Sequence, residues 1–255
     1  MRAVILADGR GTRLSEETLL KPKPMVEVGD YPLIWHVIAI YAYCGIRDFI
    51  VCLGYKGWQI NEYFLAYVSR SSDVTIELSS NPVEIHRKAQ EDWRITLIDT
   101  GGNTQTGGWI KRVADYIDGK QFCMTYGDAV TDLDIVRTIT FDENHGRDAT
   151  ITAVRPRGRF GAVRLEGNEV VEFKEKPVEE GGYINGGSFV LEPSVIDLIE
   201  DDATIWEHGP LERLAAERRL QAYCHEGFWH CVDTLRDKQE LKNIWIGGEE
   251  PWKTW

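Results

Sequence analysis

Short apolar and β-branched runs alternate with segments of helical periodicity through the first half of the 255-residue chain. Apolar runs bounded by turn residues predict buried strands, whereas apolar positions spaced by three and four predict amphipathic helices. The predicted strands are at residues 4–6, 49–53, 74–78, 95–98 and 122–126. The predicted helices are between Pro32 and Gly45 and at residues 58–68, 110–117 and 133–144. This alternation is typical of βαβ units that stack into a parallel sheet.

The pattern changes after about residue 145. Segments 149–154, 162–165, 170–173 and 188–191 are separated by Gly, Pro and Asn and predict a mixed sheet. Two more helices are predicted near residues 211–219 and 235–245, before an aromatic tail at residues 251–255. We expect a single α/β domain with a Rossmann-like, mostly parallel central sheet flanked by helices, a mixed-sheet half and a C-terminal helical extension.

Charge and cysteine content restrict the functional class. The net charge of −12 argues against binding to nucleic acid or to an anionic membrane, because such partners require an excess of Lys and Arg. No apolar run approaches the ~20 residues that span a bilayer, and the apolar N-terminus is too short for a secretory signal. The odd cysteine count, without a CxxC pair, favours reduced thiols. We therefore expect a cytoplasmic protein.

A glycine-rich segment, residues 7–13, directly follows the first predicted strand. Its glycines, Gly9 and Gly11, let the backbone turn sharply, so that successive N–H groups can hold a phosphate. The segment matches neither the P-loop nor the complete dinucleotide fingerprint, and a structural tight turn is an alternative interpretation. Arg13, Lys21 and Lys23 follow within a short distance, and flanking prolines hold the two lysines in an extended segment.

This combination resembles the opening of the sugar-1-phosphate nucleotidyltransferases. The matching residues are Gly9-x-Gly11-Thr12-Arg13-Leu14, followed by Lys21-Pro22-Lys23-Pro24-Met25. Further matches occur in order at residues 126–128, 158–162, 175–177, 185–187 and 233–237. Within the family, residues 15–18, 228–229 and 251–255 are most similar to bacterial cytidylyltransferases that act on glucose 1-phosphate.

The resemblance implies an enzyme that uses Mg²⁺ to transfer a cytidylyl group from CTP to α-D-glucose 1-phosphate, giving CDP-glucose and pyrophosphate. It also implies a homo-oligomer and a product used for dideoxysugars of surface polysaccharide. The nucleoside triphosphate would bind to the half at about residues 1–145 and the sugar 1-phosphate to about 146–235, with about 236–255 as the C-terminal extension.

The resemblance assigns site residues by position. For the nucleotide they are Leu6, Ala7, Asp8, Gly9, Gly11, Thr12, Arg13, Lys23, Thr104 and Trp109. For the sugar phosphate they are Gly161, Glu175, Lys176, Asn185 and Gly186. Arg13, Lys23 and Asp128 would be catalytic, and Asp128 and Asp233 would hold Mg²⁺. From the residues alone, Asp233 is also a candidate helix N-cap, and residues 175–177 are an ordinary charged strand end.

Three positions depart from the family pattern. Asp8 stands where glycine is usual, Trp109 where an arginine is expected, and Ala129 where glycine or asparagine is frequent. These departures leave open a relative with altered nucleotide or sugar preference, or a weakly active or non-catalytic protein that binds nucleotide sugars. A nicotinamide oxidoreductase is a third alternative, although the complete glycine fingerprint is missing.

Overall fold

A seven-stranded sheet forms the centre of the computed structural model, which describes residues 1–8, 20–80, 83–86, 91–156, 162–166, 169–174 and 182–255. In spatial order its strands are β14 (Leu220–His225), β10 (Ala149–Val154), β13 (Ile184–Leu191), β8 (Phe122–Tyr126), β1 (Arg2–Leu6), β4 (Asp48–Leu53) and β7 (Arg94–Asp99). All neighbouring pairs are parallel except the two that involve β13. The prediction of a mostly parallel central sheet is confirmed.

Helices flank this sheet. They are α1 (Leu33–Tyr43), α2 (Trp58–Arg70), α3 (Thr106–Arg112), α4 (Ala114–Ile117), α5 (Ile135–His145), α6 (Pro210–Ala216) and α7 (Leu235–Gly247), with 3₁₀ turns at Lys23–Met25 and Pro193–Leu198. The helix predicted at 110–117 is two helices, α3 and α4, and it starts one turn earlier than predicted. None of the helices in the described part of the chain has the length and apolar character needed to cross a membrane.

Among the residues that the structure describes, four antiparallel ribbons lie outside the central sheet. They pair β2 (Glu27–Val28) with β3 (Tyr31–Pro32), β5 (Val74–Ile76) with β6 (Val83–Ile85), β11 (Ala162–Glu166) with β12 (Glu169–Lys174), and β9 (Ala129–Thr131) with β15 (Trp229–Cys231). The strand predicted at 74–78 therefore exists, but it belongs to a ribbon rather than to the parallel sheet. By contrast, β10, β13 and β14 from the second half of the chain join the central sheet.

The hydrophobic core has one part on each face of the sheet. Successive side chains of a strand point to opposite faces, so Ala3 and Ile5 of β1 contribute to one part and Val4 and Leu6 to the other. Helix α1 covers the first face, with ten of its eleven residues buried. We expected an amphipathic helix there, but the C-terminal tail also packs on it through Trp252, so most sides of α1 are covered.

The carboxyl ends of parallel strands meet at one edge of the sheet, and this edge carries the polar residues of interest. The backbone continues the ladder past the strands: Ala7 N–H donates to Cys52 O at 3.0 Å, and Gly127 N–H donates to Leu6 O at 3.1 Å. As a result, Asp8 and Asp128 follow neighbouring strands at the same edge.

Candidate active site at the carboxyl edge of the sheet

A buried lysine lies at the centre of this edge. Lys23 begins the 3₁₀ turn after Pro22, and its side chain is 8% exposed. Its Nζ donates to Asp128 Oδ2 and to Asp233 Oδ1, at 2.6 Å in each case. One ammonium between two carboxylates leaves this cluster with a net negative charge. The structure therefore brings together three predicted site residues from distant parts of the chain.

The two aspartates meet because of a short strand pairing. Asp128 directly precedes β9 and Asp233 follows β15, and Ala129 lies opposite Cys231 in this antiparallel ribbon. The backbone N–H of Val232 donates to Asp128 O at 2.9 Å, which extends the ladder to the aspartates themselves. Both carboxylates are about 30% exposed, so they face the cleft as well as Lys23.

Asp233 is not the N-cap of the following helix. Thr234 caps α7, because its hydroxyl accepts from Asp237 N–H at 3.2 Å. Asp237 in turn accepts from the backbone N–H groups of Asp233 and Thr234, at 2.9 and 2.8 Å. The N-cap alternative for Asp233 is therefore wrong, and the Asp233 carboxylate is directed to the cluster instead.

The electrostatic environment keeps Lys23 charged. Burial lowers the pKa of Lys23, but the charges and hydrogen bonds of Asp128 and Asp233 outweigh burial, so that the pKa lies above its ordinary value. The neighbouring thiol of Cys231 stays neutral, because burial and the charges of Asp233 and Asp128 raise its pKa to about 12. Its Sγ is 3.6 Å from Asp233 Oδ2 and donates to it.

Two cavities meet at this cluster. The smaller, of about 70 Å³, is lined by the predicted residues Leu6, Asp8, Lys23, Trp109 and Asp128, together with Pro24, Thr106, Tyr126 and Gly127. The larger, of about 160 Å³, is lined by the predicted residues Asn185, Gly186, Asp128 and Asp233, together with Thr125, Tyr126, Ala129, Gly187, Trp229 and Cys231. Asp128 and Tyr126 belong to both linings, so the two cavities are neighbours.

Two glycines that line these cavities have little room for a side chain, because neighbouring residues lie close to their backbone. A Cβ on Gly186 would lie 2.7 Å from a methyl carbon of Val154, and one on Gly127 would lie 3.2 Å from the ring of Pro24. The indole N–H of Trp229 donates to Gly186 O at 2.8 Å and fixes this wall of the larger cavity. A side chain at Gly186 would therefore displace the wall on which Asn185 lies.

Asp8 is held by hydrogen bonding at the wall of the smaller cavity. Its Oδ1 accepts from the backbone N–H of Tyr55 at 2.8 Å. Trp109 is buried in the second part of the core, and no described residue accepts from its Nε1. Asp8 and Trp109, two of the three positions that depart from the family pattern, thus line the smaller cavity. The third, Ala129, lines the larger cavity.

Other predicted site residues do not line these two cavities or lie outside the described residues. Thr104 is buried but does not line the smaller cavity, and Thr106 lies there instead. Ala7 is buried in the core. The predicted residues Gly9, Gly11, Thr12, Arg13, Gly161, Glu175 and Lys176 lie outside the described residues.

Tyr126 and Trp229 line the cavities but were not among the site residues predicted from the sequence. The signal for Tyr126 was present, since it begins the matching segment 126–128. The signal for Trp229 was present as well, since it belongs to the matching segment 228–229.

The donor set is compatible with Mg²⁺. Mg²⁺ is commonly bound by one or two carboxylates, with waters and substrate phosphates as the other ligands. Asp128 and Asp233 supply two converging, partly exposed carboxylates next to both cavities. Within the described residues, no group of three or more His, Cys, Asp and Glu side chains forms a metal site.

Comparison with known proteins gives the family. The sequence model of the family described as "Nucleotidyl transferase" matches residues 2–237. A glucose-1-phosphate cytidylyltransferase of Salmonella typhi is 55% identical over 256 residues, covering 100% of both chains. A probable glucose-1-phosphate cytidylyltransferase of Bacillus subtilis is 39% identical over the same length and coverage. In fold, the chain is similar to a putative glucose-1-phosphate thymidylyltransferase of Bacillus anthracis, with a TM-score of 0.69, 18% identity, and coverage of 96% and 94%. The chain therefore belongs to the nucleotidyl transferase family.

Proposed function

We propose that this protein transfers the cytidylyl group of CTP to α-D-glucose 1-phosphate, producing CDP-glucose and pyrophosphate. Full-length relatives at 55% and 39% identity bear this activity in their names. The observation in the structure that supports it most strongly is the pair of neighbouring cavities that share Asp128 and Tyr126. A transfer reaction between two bound substrates requires such neighbouring sites.

In this reaction, a phosphate oxygen of glucose 1-phosphate forms a bond to the α-phosphorus of CTP. The bond from that phosphorus to the oxygen bridging to the β-phosphate breaks, and pyrophosphate leaves with the electron pair. A phosphate monoester is largely a dianion at neutral pH, because its second pKa is about 6. The nucleophile is therefore already ionised, and the site needs no general base to remove a proton.

Repulsion between the two anionic substrates is the main obstacle. Each pair of unit charges at ~4 Å costs about 4 kcal/mol at an effective dielectric constant of ~20. Lys23 is a charged donor at the junction of the cavities and would neutralise part of this charge. Arg13 would do the same for the triphosphate and the departing pyrophosphate.

We propose Mg²⁺ as the cofactor, held by Asp128 and Asp233. When bound, the ion supplies positive charge and polarises the phosphate oxygens. The ammonium of Lys23 hydrogen-bonds to both carboxylates and holds them close together. An ammonium has three N–H donors, so Lys23 can contact a substrate phosphate while keeping both aspartates.

The larger cavity would hold the sugar phosphate. Asn185 and Gly186 line it, and the absence of a side chain at Gly186 allows a sugar ring to lie close to the backbone. Gly161, Glu175 and Lys176 would complete it. In the smaller cavity, Asp8 and Trp109 would contact CTP, with Thr106 in the place that was expected for Thr104.

The remaining proposals concern the context of the reaction. The nucleotide-binding half would be residues 1–145 and the sugar-phosphate-binding half residues 146–235, with a C-terminal extension after these. We further propose that the protein is a cytoplasmic homo-oligomer whose product is used for dideoxysugars of surface polysaccharide.

The proposed function is tested by measuring pyrophosphate release from CTP, UTP, dTTP and GTP, each with glucose 1-phosphate and Mg²⁺. We expect release with CTP and the appearance of CDP-glucose. Release with UTP or dTTP but not with CTP would contradict the nucleotide assignment.

A matched pair of variants tests the site. Asp128→Asn removes a proposed Mg²⁺ ligand and should lower kcat by about a hundredfold or more, since charge stabilisation by one group is commonly worth this much. Asp115→Asn makes the same chemical change at an exposed position of α4 and should leave kcat unchanged. Equal activity of the two variants would contradict the assignment of Asp128.

A further inference from the structure

Tyr126 forms the partition between the two cavities. It is the last residue of β8 and lines both cavities. On the side of the larger cavity its ring packs on Gly187, where a Cβ would lie 2.7 Å from Tyr126 Cδ2. Its ring also meets Phe189 edge to face, with 6.2 Å between ring centroids. The ring is thus confined on this side by the backbone and side chains of β13.

Glu207 holds the other end of Tyr126. The Tyr126 hydroxyl donates to Glu207 Oε1, and the Thr106 hydroxyl donates to Glu207 Oε2 at 2.7 Å. The Tyr126 hydroxyl is the donor in this contact, because a carboxylate oxygen accepts. Each oxygen of the carboxylate is occupied by one hydroxyl group, and each hydroxyl belongs to a residue that lines the smaller cavity.

Thr106 connects Glu207 to helix α3. Thr106 is the first residue of α3, which also carries Trp109. The segment before Glu207 holds the same helix end: Gln105 N–H donates to Asp202 O at 2.8 Å, and Trp206 N–H donates to Thr106 Oγ1 at 2.9 Å. The start of α3 is therefore attached to segment 202–207, and Glu207 attaches that segment to β8.

Tyr126 also belongs to the wall of the larger cavity. Asn185 lines the larger cavity together with Tyr126. Asn185 Oδ1 accepts from Gly187 N–H at 2.8 Å, which fixes the amide. Tyr126 therefore packs on Gly187 in the wall of the larger cavity, and hydrogen bonds run from its hydroxyl through Glu207 to Thr106 in the wall of the smaller cavity.

We infer that Glu207 is a positioning residue of the active site: it lines neither cavity but fixes Tyr126 and Thr106, and so sets the shape of both substrate pockets. The identity of the two ligands rests on the proposed function. Beyond that function, the carboxylate of Glu207 controls substrate affinity from outside the two cavities. One partly buried carboxylate holds both hydroxyl groups in place before substrate binds, so that binding costs less conformational entropy.

The test uses Glu207→Gln and Tyr126→Phe, with KM, kcat and Tm measured for each. Glutamine has one acceptor oxygen in place of two, and phenylalanine lacks the hydroxyl. Losing a hydrogen bond to a charged group should raise the KM for CTP about tenfold in each variant. Because Tyr126 and Glu207 share one hydrogen bond, the double variant should raise KM by less than the product of the two single increases.

Matched controls are Glu143→Gln on α5 and Tyr116→Phe on α4, the same chemical changes at exposed positions. They should leave KM unchanged. A role in folding alone would lower Tm or the active fraction in the Glu207 and Tyr126 variants and leave both KM values as in the wild type. That result overturns the inference.

Calorimetric titration with CTP and Mg²⁺ separates this inference from the proposed function. A wild-type protein that binds CTP but releases no pyrophosphate contradicts the proposed function, while weaker binding by Glu207→Gln still supports the inference. Normal wild-type turnover with unchanged Kd in both variants contradicts the inference alone. A wild-type protein that neither turns over nor binds CTP overturns both.

Discussion

The carboxylate of Asp8 accepts a hydrogen bond from the backbone N–H of Tyr55, with 2.8 Å between Oδ1 and N. Asp8 follows β1 and Tyr55 follows β4, so this bond ties together the ends of two adjacent strands. Gly54 makes room for it, because a Cβ at that position would lie 2.0 Å from Asp8 Oδ2. An aspartate that departs from the family pattern therefore has a structural role at the wall of the smaller cavity.

Asp8→Gly should lower the free energy of unfolding by about 1 to 2 kcal/mol, because the Tyr55 N–H loses its acceptor and glycine adds backbone freedom. Gly54→Ala should be more destabilising in the wild type than in Asp8→Gly, since the clash is with the Asp8 side chain. Urea denaturation of the two single variants and the double variant measures this coupling. Additive effects would show that the two side chains do not share this space.

Trp109→Phe should change the affinity for the nucleotide more than it changes stability. The substitution removes a buried indole N–H that has no acceptor among the described residues, which offsets part of the lost packing. We expect the free energy of unfolding to stay within about 2 kcal/mol of the wild type. The KM for CTP should change because Trp109 lines the smaller cavity. Trp93→Phe is the control: Trp93 packs against the other part of the core, and its substitution should leave KM unaltered.

Lys23→Met should destabilise the protein most at neutral pH. Removing one partner of a buried ion pair costs about 3 kcal/mol or more, because it leaves the facing carboxylates uncompensated. The pKa of Lys23 is raised in the folded state, so its contribution is complete below the unfolded value of 10.5 and is lost as the pH rises through the folded pKa. The difference in unfolding free energy between wild type and variant should therefore shrink above pH 10.5. A difference independent of pH up to pH 11 would argue against the ion pairs with Asp128 and Asp233.

His36 should make the protein sensitive to acid. Its Nε2 is 2.9 Å from Val28 O, and its Nδ1 accepts from Trp252 Nε1 at 3.4 Å, an arrangement that requires the neutral ring. Burial lowers the pKa of His36, so the unfolded chain binds more protons below the ordinary value of 6.5. Stability is therefore complete above pH 6.5 and falls as the pH drops through the folded pKa.

Urea denaturation at pH 7.5 and 5.5 checks this prediction for His36. His36→Asn should show a smaller loss of stability between the two pH values than the wild type. His208→Asn, at an exposed histidine, should retain the loss seen in the wild type. Equal losses in all three proteins would mean that another group titrates in this range.

The sequence by itself determined the central elements and the identity of the cluster residues. The strands at β8 and β10 have the predicted bounds, because long buried apolar runs leave few other conformations. Lys23 and Asp128 could be selected because a lysine between prolines and an aspartate after a buried strand are local signals.

Other features depend on contacts between distant residues, which only the tertiary structure decided. Asp233 meets Asp128 through β9 and β15, three-residue strands too short for a periodic signal, and so its N-cap alternative could not be rejected beforehand. Tyr126 and Glu207 are 81 residues apart, and their contact depends on how α3 and segment 202–207 pack on the sheet. The bond from Asp8 to the Tyr55 N–H likewise needs both strand ends in place. Local pattern identifies groups with suitable chemistry, whereas the distance and burial that determine their charge and role arise when the chain packs.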